Sequence, residues 1–224
     1  NLVDGDYQPA MSNREVLASI ADPAYQTELG RYNIEFNVPP RALPGTSGLE
    51  LEADIRASLN AAEAKANQAG AHIVMIGILP TLMPEHLSGH WMSESTRYQA
   101  LNDSIFTARG EDIQIDITGA ERLSLQTESI APESACTSIQ LHLQVSPADF
   151  AKNWNAAQVL AGPQLALGAN SPYFFGHQLW PETRIELFAQ ATDTRPDELK
   201  AQGVRPRVWF GERWITSIFD LFEE

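Results

Sequence analysis

Three segments of the chain alternate apolar and polar positions, a pattern that predicts half-buried β-strands. They are residues 30–38, 112–117 and 136–145. A fourth segment, residues 72–79, is continuously apolar and predicts a buried strand. Strands that alternate in polarity are typical of antiparallel sheets with one face packed and one face open.

Apolar residues at helical spacing predict helices in the intervening segments. The predicted helices cover about 48–68, 95–109 and 182–191, with further helices starting at 146 and near Arg213. Gly70 and Gly110 stand where the first two helices should end. Pro147 occupies the first turn of the helix that starts at 146.

These elements predict an α+β fold with a mainly antiparallel sheet. One face of the sheet would be covered by helices, and the other would be open and functional. The chain has 224 residues, of which 43% are apolar, which suffices for one sizeable core. No linker or repeat divides it, so residues 1–224 are expected to form a single domain within a larger catalytic domain.

The charge balance restricts the kinds of partner. There are 29 acidic against 15 basic residues, and the formal net charge is -14. Such a surface repels phosphate backbones and anionic lipid, which argues against nucleic acids and membranes as partners. It suits cations, or a nucleotide that arrives as its magnesium complex, although an acidic surface also simply keeps a protein soluble.

The single cysteine, Cys136, excludes an internal disulfide and a thiolate zinc site, and fits a reducing, cytoplasmic location. No signal segment and no run of about 18 apolar residues is present. The chain does not begin with Met, and no capping signal follows its last segment. We therefore expect it to be a piece of a longer protein.

The polar faces of two predicted strands offer a candidate site. Gln140 and His142 share one face, about 7 Å apart, and Glu35 lies on the polar face of the strand over 30–38. Carboxylate and amide oxygens are ligands that Mg²⁺ accepts. Glu28 lies seven residues before Glu35, so it reaches the same face only if Gly30 interrupts the strand. The alternative is an ordinary solvent-facing strand surface.

Several segments, taken in chain order, resemble the glutamate–cysteine ligase family, in the branch that includes the plant enzymes and the bacterial carboxylate–amine ligases. The most specific are ACTSIQLHLQ at 135–144 and ANSPYFFG at 169–176, which match a T-x-x-Q strand and an A-N-S-P turn of the family. Three weaker matches are ELGRYNIE at 28–35, MSESTRY at 92–98, and the pair Thr183-Arg184 with Asp193-Thr194-Arg195.

The resemblance implies a sheet related to that of glutamine synthetase and a reaction that requires ATP and Mg²⁺. In this reaction ATP phosphorylates the γ-carboxylate of glutamate, and an amine such as cysteine displaces the phosphate. Metal ions are needed to neutralise the triphosphate, and arginines to hold the transferring group. The partners expected are therefore small molecules: glutamate and an amine acceptor.

Carried over by position, the resemblance implies roles for seven residues. Glu28, Glu35 and Gln140 would bind metal; Arg184 would be catalytic; and Arg97, His142 and Arg195 would bind substrate. For each arginine the alternative is a structural ion pair. Asn170 is interpreted first as a turn-forming residue.

Strands of the family pattern are missing from both ends of the sequence. A G-x-E-x-E strand should precede Asn1, and further acid-bearing strands should follow Glu224. The chain alone is therefore expected to hold part of an active site and to be inactive unless other segments or copies complete it. A homo-oligomer is one way to do so.

Two other functions remain open at this stage. One is a non-catalytic module of the same fold that binds an amino acid or a nucleotide. The other is an amide hydrolase with Cys136 as nucleophile, although a small residue at a strand edge explains Cys136 better than a nucleophile does.

Overall fold

Short antiparallel strand pairs and eight α-helices make up the fold in a computed structural model, which describes residues 1–223. The strands are β1 (Leu2–Val3), β2 (Tyr25–Thr27), β3 (Ile34–Phe36), β4 (His72–Ile73), β5 (Ile113–Thr118), β6 (Arg122–Thr127), β7 (Tyr173–Phe174) and β8 (His177–Gln178). The helices are α1 (Asn13–Ile20), α2 (Ser47–Gln68), α3 (Thr96–Arg109), α4 (Ala131–Ser134), α5 (Phe150–Gly168), α6 (Arg184–Ala191), α7 (Asp197–Ala201) and α8 (Asp220–Glu223).

The strands pair two by two in the described residues: β1 with β4, β2 with β3, β5 with β6, and β7 with β8. The α+β class is thus confirmed. The described residues form separate strand pairs rather than the one sheet expected, because no pair among them extends into a neighbouring pair.

The β5–β6 hairpin forms the centre of the main core. Ile113, Ile115 and Ile117 are buried at alternate positions of β5 and contact α6, as the alternation predicted. Tyr32, Ile105 and Phe174 belong to the same core cluster. A smaller cluster of Leu2, Val16, Ala66 and Ala71 joins α1 and α2.

Local sequence signals placed several helices correctly. α2 and α3 begin and end within one or two residues of the prediction, and Gly110 ends α3 with a φ of 73°. Ala108 of α3 is exposed, and the neighbouring Arg109 is buried. Its guanidinium donates to the backbone oxygens of Asp112 (3.1 Å) and Asp193 (3.0 Å), which satisfies the charge in the interior.

The strand predicted over 136–145 is not formed. The Thr137 amide donates to Gly77 O (3.0 Å), but residues 138–145 have irregular, exposed backbone. The apolar side chains of this segment, Ile139, Leu141 and Leu143, are 74%, 74% and 56% exposed. Alternation alone does not make a strand, because the strand also needs a neighbour to pair its amides and carbonyls.

Two other predictions are also wrong for this structure. The strand expected over 72–79 is reduced to β4, which pairs with only two residues of β1. The helix expected near Arg213 is absent there, and α8 begins later, at Asp220. Within residues 1–223, no helix is both long enough and apolar enough to cross a membrane.

Candidate active site

The β2–β3 hairpin brings Glu28 and Glu35 to the same face. Gln26 pairs with Glu35 across the two strands, and Glu28 follows Gln26 by two positions. Residues two apart in an extended chain point to the same side. The interruption foreseen at Gly30 therefore occurs, but as a chain reversal between two strands rather than as a bulge, with the Asn33 amide donating to Gly30 O (2.9 Å).

Buried polar groups hold this reversal in place. The Asn13 side-chain amide donates to Ser93 Oγ (2.8 Å), and Ser93 Oγ in turn donates to the backbone oxygen of Glu28. The Ser93 amide bonds to Leu29 O (2.9 Å), and the Arg31 amide bonds to Trp91 O (2.8 Å). The carboxylate of Glu28 thus projects from a backbone that is fixed on several sides.

Glu28 is half-buried, whereas Glu35 is exposed. Burial raises the pKa of the Glu28 carboxyl, and the negative charge of Glu35 raises it further. The Leu29 amide and the Arg97 guanidinium lower that pKa. Glu28, Glu35 and Arg97 are therefore close enough to sense each other's charge.

Arg97 lies in the first turn of α3, next to a cleft of about 440 Å³. Hydroxyl and amide groups of Ser93, Ser95, Thr96 and Gln99 contribute to its lining. Tyr98 attaches α3 to the hairpin, because its hydroxyl donates to Thr27 O (3.0 Å). Glu28 and Glu35 do not line this cleft, but Ser93, which does, donates to the backbone oxygen of Glu28.

A third carboxylate, Glu133, was missed from the sequence. It lies on the short helix α4, which is fixed to the hairpin by a hydrogen bond between the Tyr32 hydroxyl and Ser134 Oγ (3.0 Å). Its Oε2 atom is buried and has no hydrogen-bond partner within residues 1–223. Burial raises the pKa of Glu133 to about 7; Glu28 raises it too, and Arg207 lowers it. The available signal was an acid inside the apolar stretch from Ile130 to Ala135.

Glu133 should make stability depend on pH. Because its pKa rises from 4.5 to about 7 on folding, the folded state retains a proton that the unfolded state has lost between these values. Stability should thus fall as pH rises through this window. Glu133→Gln should then stabilise the protein by up to about 3 kcal/mol at about pH 8, and by much less at about pH 4.5. Urea unfolding at both pH values measures this.

The charged neighbours that act on Glu133 are Glu28 and Arg207, and the Cys136 thiol also senses its charge. Glu128→Gln is the matched control, because Glu128 is exposed and lies five positions earlier. If Glu133→Gln stabilised the protein equally at both pH values, the raised pKa of Glu133 would be contradicted.

Arg184, the predicted catalytic residue, holds the A-N-S-P turn. Its guanidinium forms a two-pronged ion pair with Glu182 and donates to Thr137 O (2.5 Å). The Glu182 carboxylate also accepts from the Asn170 amide (3.2 Å) and Ser171 Oγ (3.0 Å). Burial raises the pKa of Glu182, but these hydrogen bonds and the charge of Arg184 together lower it more. The pKa of Glu182 therefore lies below its usual value.

Gly77 packs directly against this ion pair. A Cβ atom at position 77 would lie 2.6 Å from Asn170 Oδ1 and 2.8 Å from Arg184 Cζ. The Gly77 amide also bonds to Asn170 O (3.3 Å). We call Gly77, Asn170, Glu182 and Arg184 the turn clamp.

Arg195 forms a separate ion pair. Its guanidinium bonds both oxygens of Asp193 (2.9 and 2.8 Å) and donates to Val204 O (2.5 Å). Burial acts against ionisation of Asp193, but the bonds from Arg195 outweigh it and lower the pKa of this carboxyl. The contacts of Arg195 in the described chain are thus structural, and none reaches the hairpin.

Gln140 and His142 lie in the exposed segment 138–145. Among residues 1–223, no hydrogen bond or ion pair joins either side chain to Glu28 or Glu35. Their expected roles, and that of Arg195, remain predictions. Cys136 is half-buried, and burial raises the pKa of its thiol, which disfavours the thiolate that the hydrolase hypothesis needs.

The donor set at the hairpin fits a magnesium–nucleotide complex. In the described part of the chain, no three metal-binding side chains of the His, Cys, Asp and Glu types converge on one point. Mg²⁺ that arrives with a nucleotide needs only one or two carboxylates, because phosphate oxygens and waters complete its shell. Glu28 and Glu35 could provide these carboxylates.

Comparison with known protein families identifies the chain. The model of glutamate–cysteine ligase family 2 (GCS2) matches residues 5–206. The chain belongs to this family. The matched range includes both specific segments, 135–144 and 169–176, so the resemblance seen in the sequence is confirmed. No curated protein and no solved structure matches the chain. GCS2 membership implies a carboxylate–amine ligase activity.

Proposed function

We propose that this GCS2 chain provides part of the active site of an ATP- and Mg²⁺-dependent ligase. The enzyme would join the γ-carboxylate of glutamate, or of a similar acid, to an amine through an acyl phosphate. The observation that carries the proposal is that the charges of Glu35 and Arg97 both act on the Glu28 carboxyl, at the β2–β3 hairpin of a chain of this family.

The residues have separable roles in this reaction. Bound Mg–ATP would supply the phosphoryl group, and its Mg²⁺ would neutralise the negative charge of the phosphates. Glu28 and Glu35 hold the cation on the rigid hairpin. Arg97 faces the same site from α3 without an ion pair of its own among residues 1–223, so its guanidinium is available for a carboxylate or a phosphate oxygen.

The turn clamp would hold the A-N-S-P turn in position, and Arg184 could still contact an anion from within it. Arg184 uses its Nε and one hydrogen on each terminal nitrogen for Glu182 and Thr137. An arginine has five N–H donors, so two remain that could contact an anion. The proposed catalytic role of Arg184 is therefore a contact made while it stays paired with Glu182.

The glutamine-synthetase-like sheet is part of the same proposal. Residues 138–145 are irregular, and their apolar side chains Ile139, Leu141 and Leu143 are exposed. Pairing with a further strand, from a longer form of the protein or from a second copy, would give Gln140 and His142 a fixed orientation. The cytoplasm, where both ATP and amino acids are abundant, is the proposed location.

A screen for phosphate release tests the proposed reaction. Full-length protein is incubated with ATP and pairs of amino acids, with and without Mg²⁺. We expect release only when Mg²⁺ and an acidic amino acid are both present, and a product that contains a new amide by mass spectrometry. Binding of ATP without turnover for any pair would favour the non-catalytic binding module. Amide hydrolysis without ATP, lost in Cys136→Ser, would contradict the ligase.

A further inference from the structure

Three buried asparagines are hydrogen-bonded to one another at the β2–β3 hairpin. Asn13 and Asn33 are each 1% exposed, and Asn1 is 9% exposed. The Asn13 side-chain amide donates to Ser93 Oγ (2.8 Å) and to Asn33 O (3.3 Å). The Asn33 side-chain amide donates in turn to Asn1 Oδ1 (3.1 Å). We call Asn1, Asn13 and Asn33 the asparagine network.

The asparagine network extends from the hairpin to the turn clamp. The Asn1 side-chain amide donates to Ile76 O (2.8 Å) and to Thr137 Oγ1 (3.4 Å). The Thr137 hydroxyl also bonds to Ile76 O (2.6 Å), and the Thr137 carbonyl oxygen accepts from the Arg184 guanidinium (2.5 Å). A continuous series of hydrogen-bonded residues therefore joins the β2–β3 hairpin to Arg184.

Stability alone does not account for the asparagine network. The Oδ1 atoms of Asn13 and Asn33 are buried and accept no hydrogen bond within residues 1–223. A buried acceptor without a donor is unfavourable, and an apolar side chain of similar size would avoid this cost. The two side chains are therefore placed for the groups that their N–H donors hold.

We propose that Asn33 is a positioning residue, which holds the hairpin of Glu28 and Glu35 at a fixed distance from Arg184. This inference rests on the proposed ligase function and adds a residue to it. In that reaction the hairpin holds the cation of the nucleotide, and Arg184 contacts an anionic group. Phosphoryl transfer needs both groups in register, since a displacement of about 1 Å can lower the rate about 100-fold.

The hairpin keeps other attachments when Asn33 is replaced by alanine. The Leu2 amide donates to Tyr32 O (2.6 Å), and the Arg31 amide donates to Trp91 O (2.8 Å). Gly30 also limits the choice of variant, because a Cβ atom at position 30 would overlap Asn33 Oδ1 and the Tyr32 ring. Asn33→Ala shortens a side chain and adds no overlap, so the variant should fold.

Steady-state kinetics of the full-length protein test the positioning role. In Asn33→Ala, kcat should fall at least about tenfold, because the two parts of the site lose their fixed separation. The KM for Mg–ATP should stay within about twofold, because the hairpin carboxylates and Arg97 are unchanged. Asn1→Ala removes the other partner of the same hydrogen bond. It should lower kcat by a similar factor, and the double variant should lose little more.

Asn155→Ala is the matched control. The Asn155 side chain in α5 donates to Ile215 O (2.8 Å) and accepts from the Ile215 amide (3.0 Å), so its loss also removes side-chain hydrogen bonds to backbone. Asn155 lies outside the asparagine network. The control should therefore lose stability and keep the wild-type kcat.

Hydrogen exchange tests the link without ATP or turnover. The Thr137 amide donates to Gly77 O (3.0 Å), and it lies at the turn-clamp end of the series. In Asn33→Ala this amide should exchange at least about tenfold faster relative to the Ile115 amide in β5, which reports on the whole core. Asn155→Ala should leave the ratio of the two exchange rates unchanged.

The outcomes separate this inference from the proposed function. An unchanged exchange ratio at Thr137 in Asn33→Ala would overturn the role of Asn33, even in an active ligase. In active protein, a wild-type kcat in Asn33→Ala, or an equal loss of kcat in Asn155→Ala, would also overturn it. Faster exchange at Thr137 in a protein that forms no amide from any substrate pair would support the link and contradict the ligase.

Discussion

Replacing Glu35 by glutamine is expected to lower turnover of the full-length protein about 100-fold or more. The substitution removes one of the two carboxylates that face the proposed cation, while the amide that replaces it carries no charge. The Glu35 side chain is exposed and makes no hydrogen bond or ion pair with other described residues, so stability should change by less than about 0.5 kcal/mol. Phosphate release and thermal unfolding measure the two effects.

Glu15→Gln is the matched control for this experiment. Glu15 lies in the first turn of α1, is also exposed, and plays no part in the proposed site. It should retain wild-type turnover. Wild-type turnover in Glu35→Gln would remove Glu35 from the active site, and a loss of activity that accompanies unfolding would assign it a structural role instead.

Glu182→Gln should destabilise the fold by about 3 kcal/mol, because it breaks a largely buried ion pair and leaves the Arg184 charge without its partner. The Glu182 and Arg184 side chains are only 9% and 22% exposed. The same carboxylate accepts the Asn170 amide and the Ser171 hydroxyl, so the turn that follows α5 should loosen as well. Urea unfolding, monitored by tryptophan fluorescence, gives the change in free energy.

An exposed pair of the same geometry provides the control. Arg122 bonds both oxygens of Asp116 (3.0 and 2.7 Å), but the two side chains are 64% and 41% exposed. Asp116→Asn should therefore lower the free energy of unfolding much less than Glu182→Gln does, because solvent screens the exposed pair. Equal costs for the two variants would show that the turn clamp contributes no more than a surface ion pair.

Local elements of this fold could be predicted from the sequence, and non-local ones could not. α2, α3 and β5 follow from apolar spacing and from capping residues, which act within a few positions. β6 was missed, and the strand over 136–145 was wrongly predicted, because the existence of a strand depends on what lies beside it in space. Alternation describes the side chains of a segment but does not reveal its neighbour.

The residues of the candidate site also differ in how far the sequence could predict them. Glu28, Glu35 and Arg97 could be proposed from family motifs, yet the hairpin that unites the two glutamates was not visible in their spacing. No periodic pattern in the sequence points to Glu133, and only the burial of its carboxylate oxygen in the structure draws attention to it. The ion pair of Arg195 with Asp193 could be predicted from the sequence, because the two residues are only two positions apart.

The close packing around Gly77 restricts how the chain can vary. A methyl group at this position meets both the Asn170 amide and the Arg184 guanidinium, so no larger residue fits while those two keep their places. Substitutions at these positions would be strongly epistatic: one that is harmful alone becomes tolerable only after its neighbours have changed. A directed-evolution library that changes one position at a time would therefore recover few tolerated substitutions at Gly77, Asn170 and Arg184.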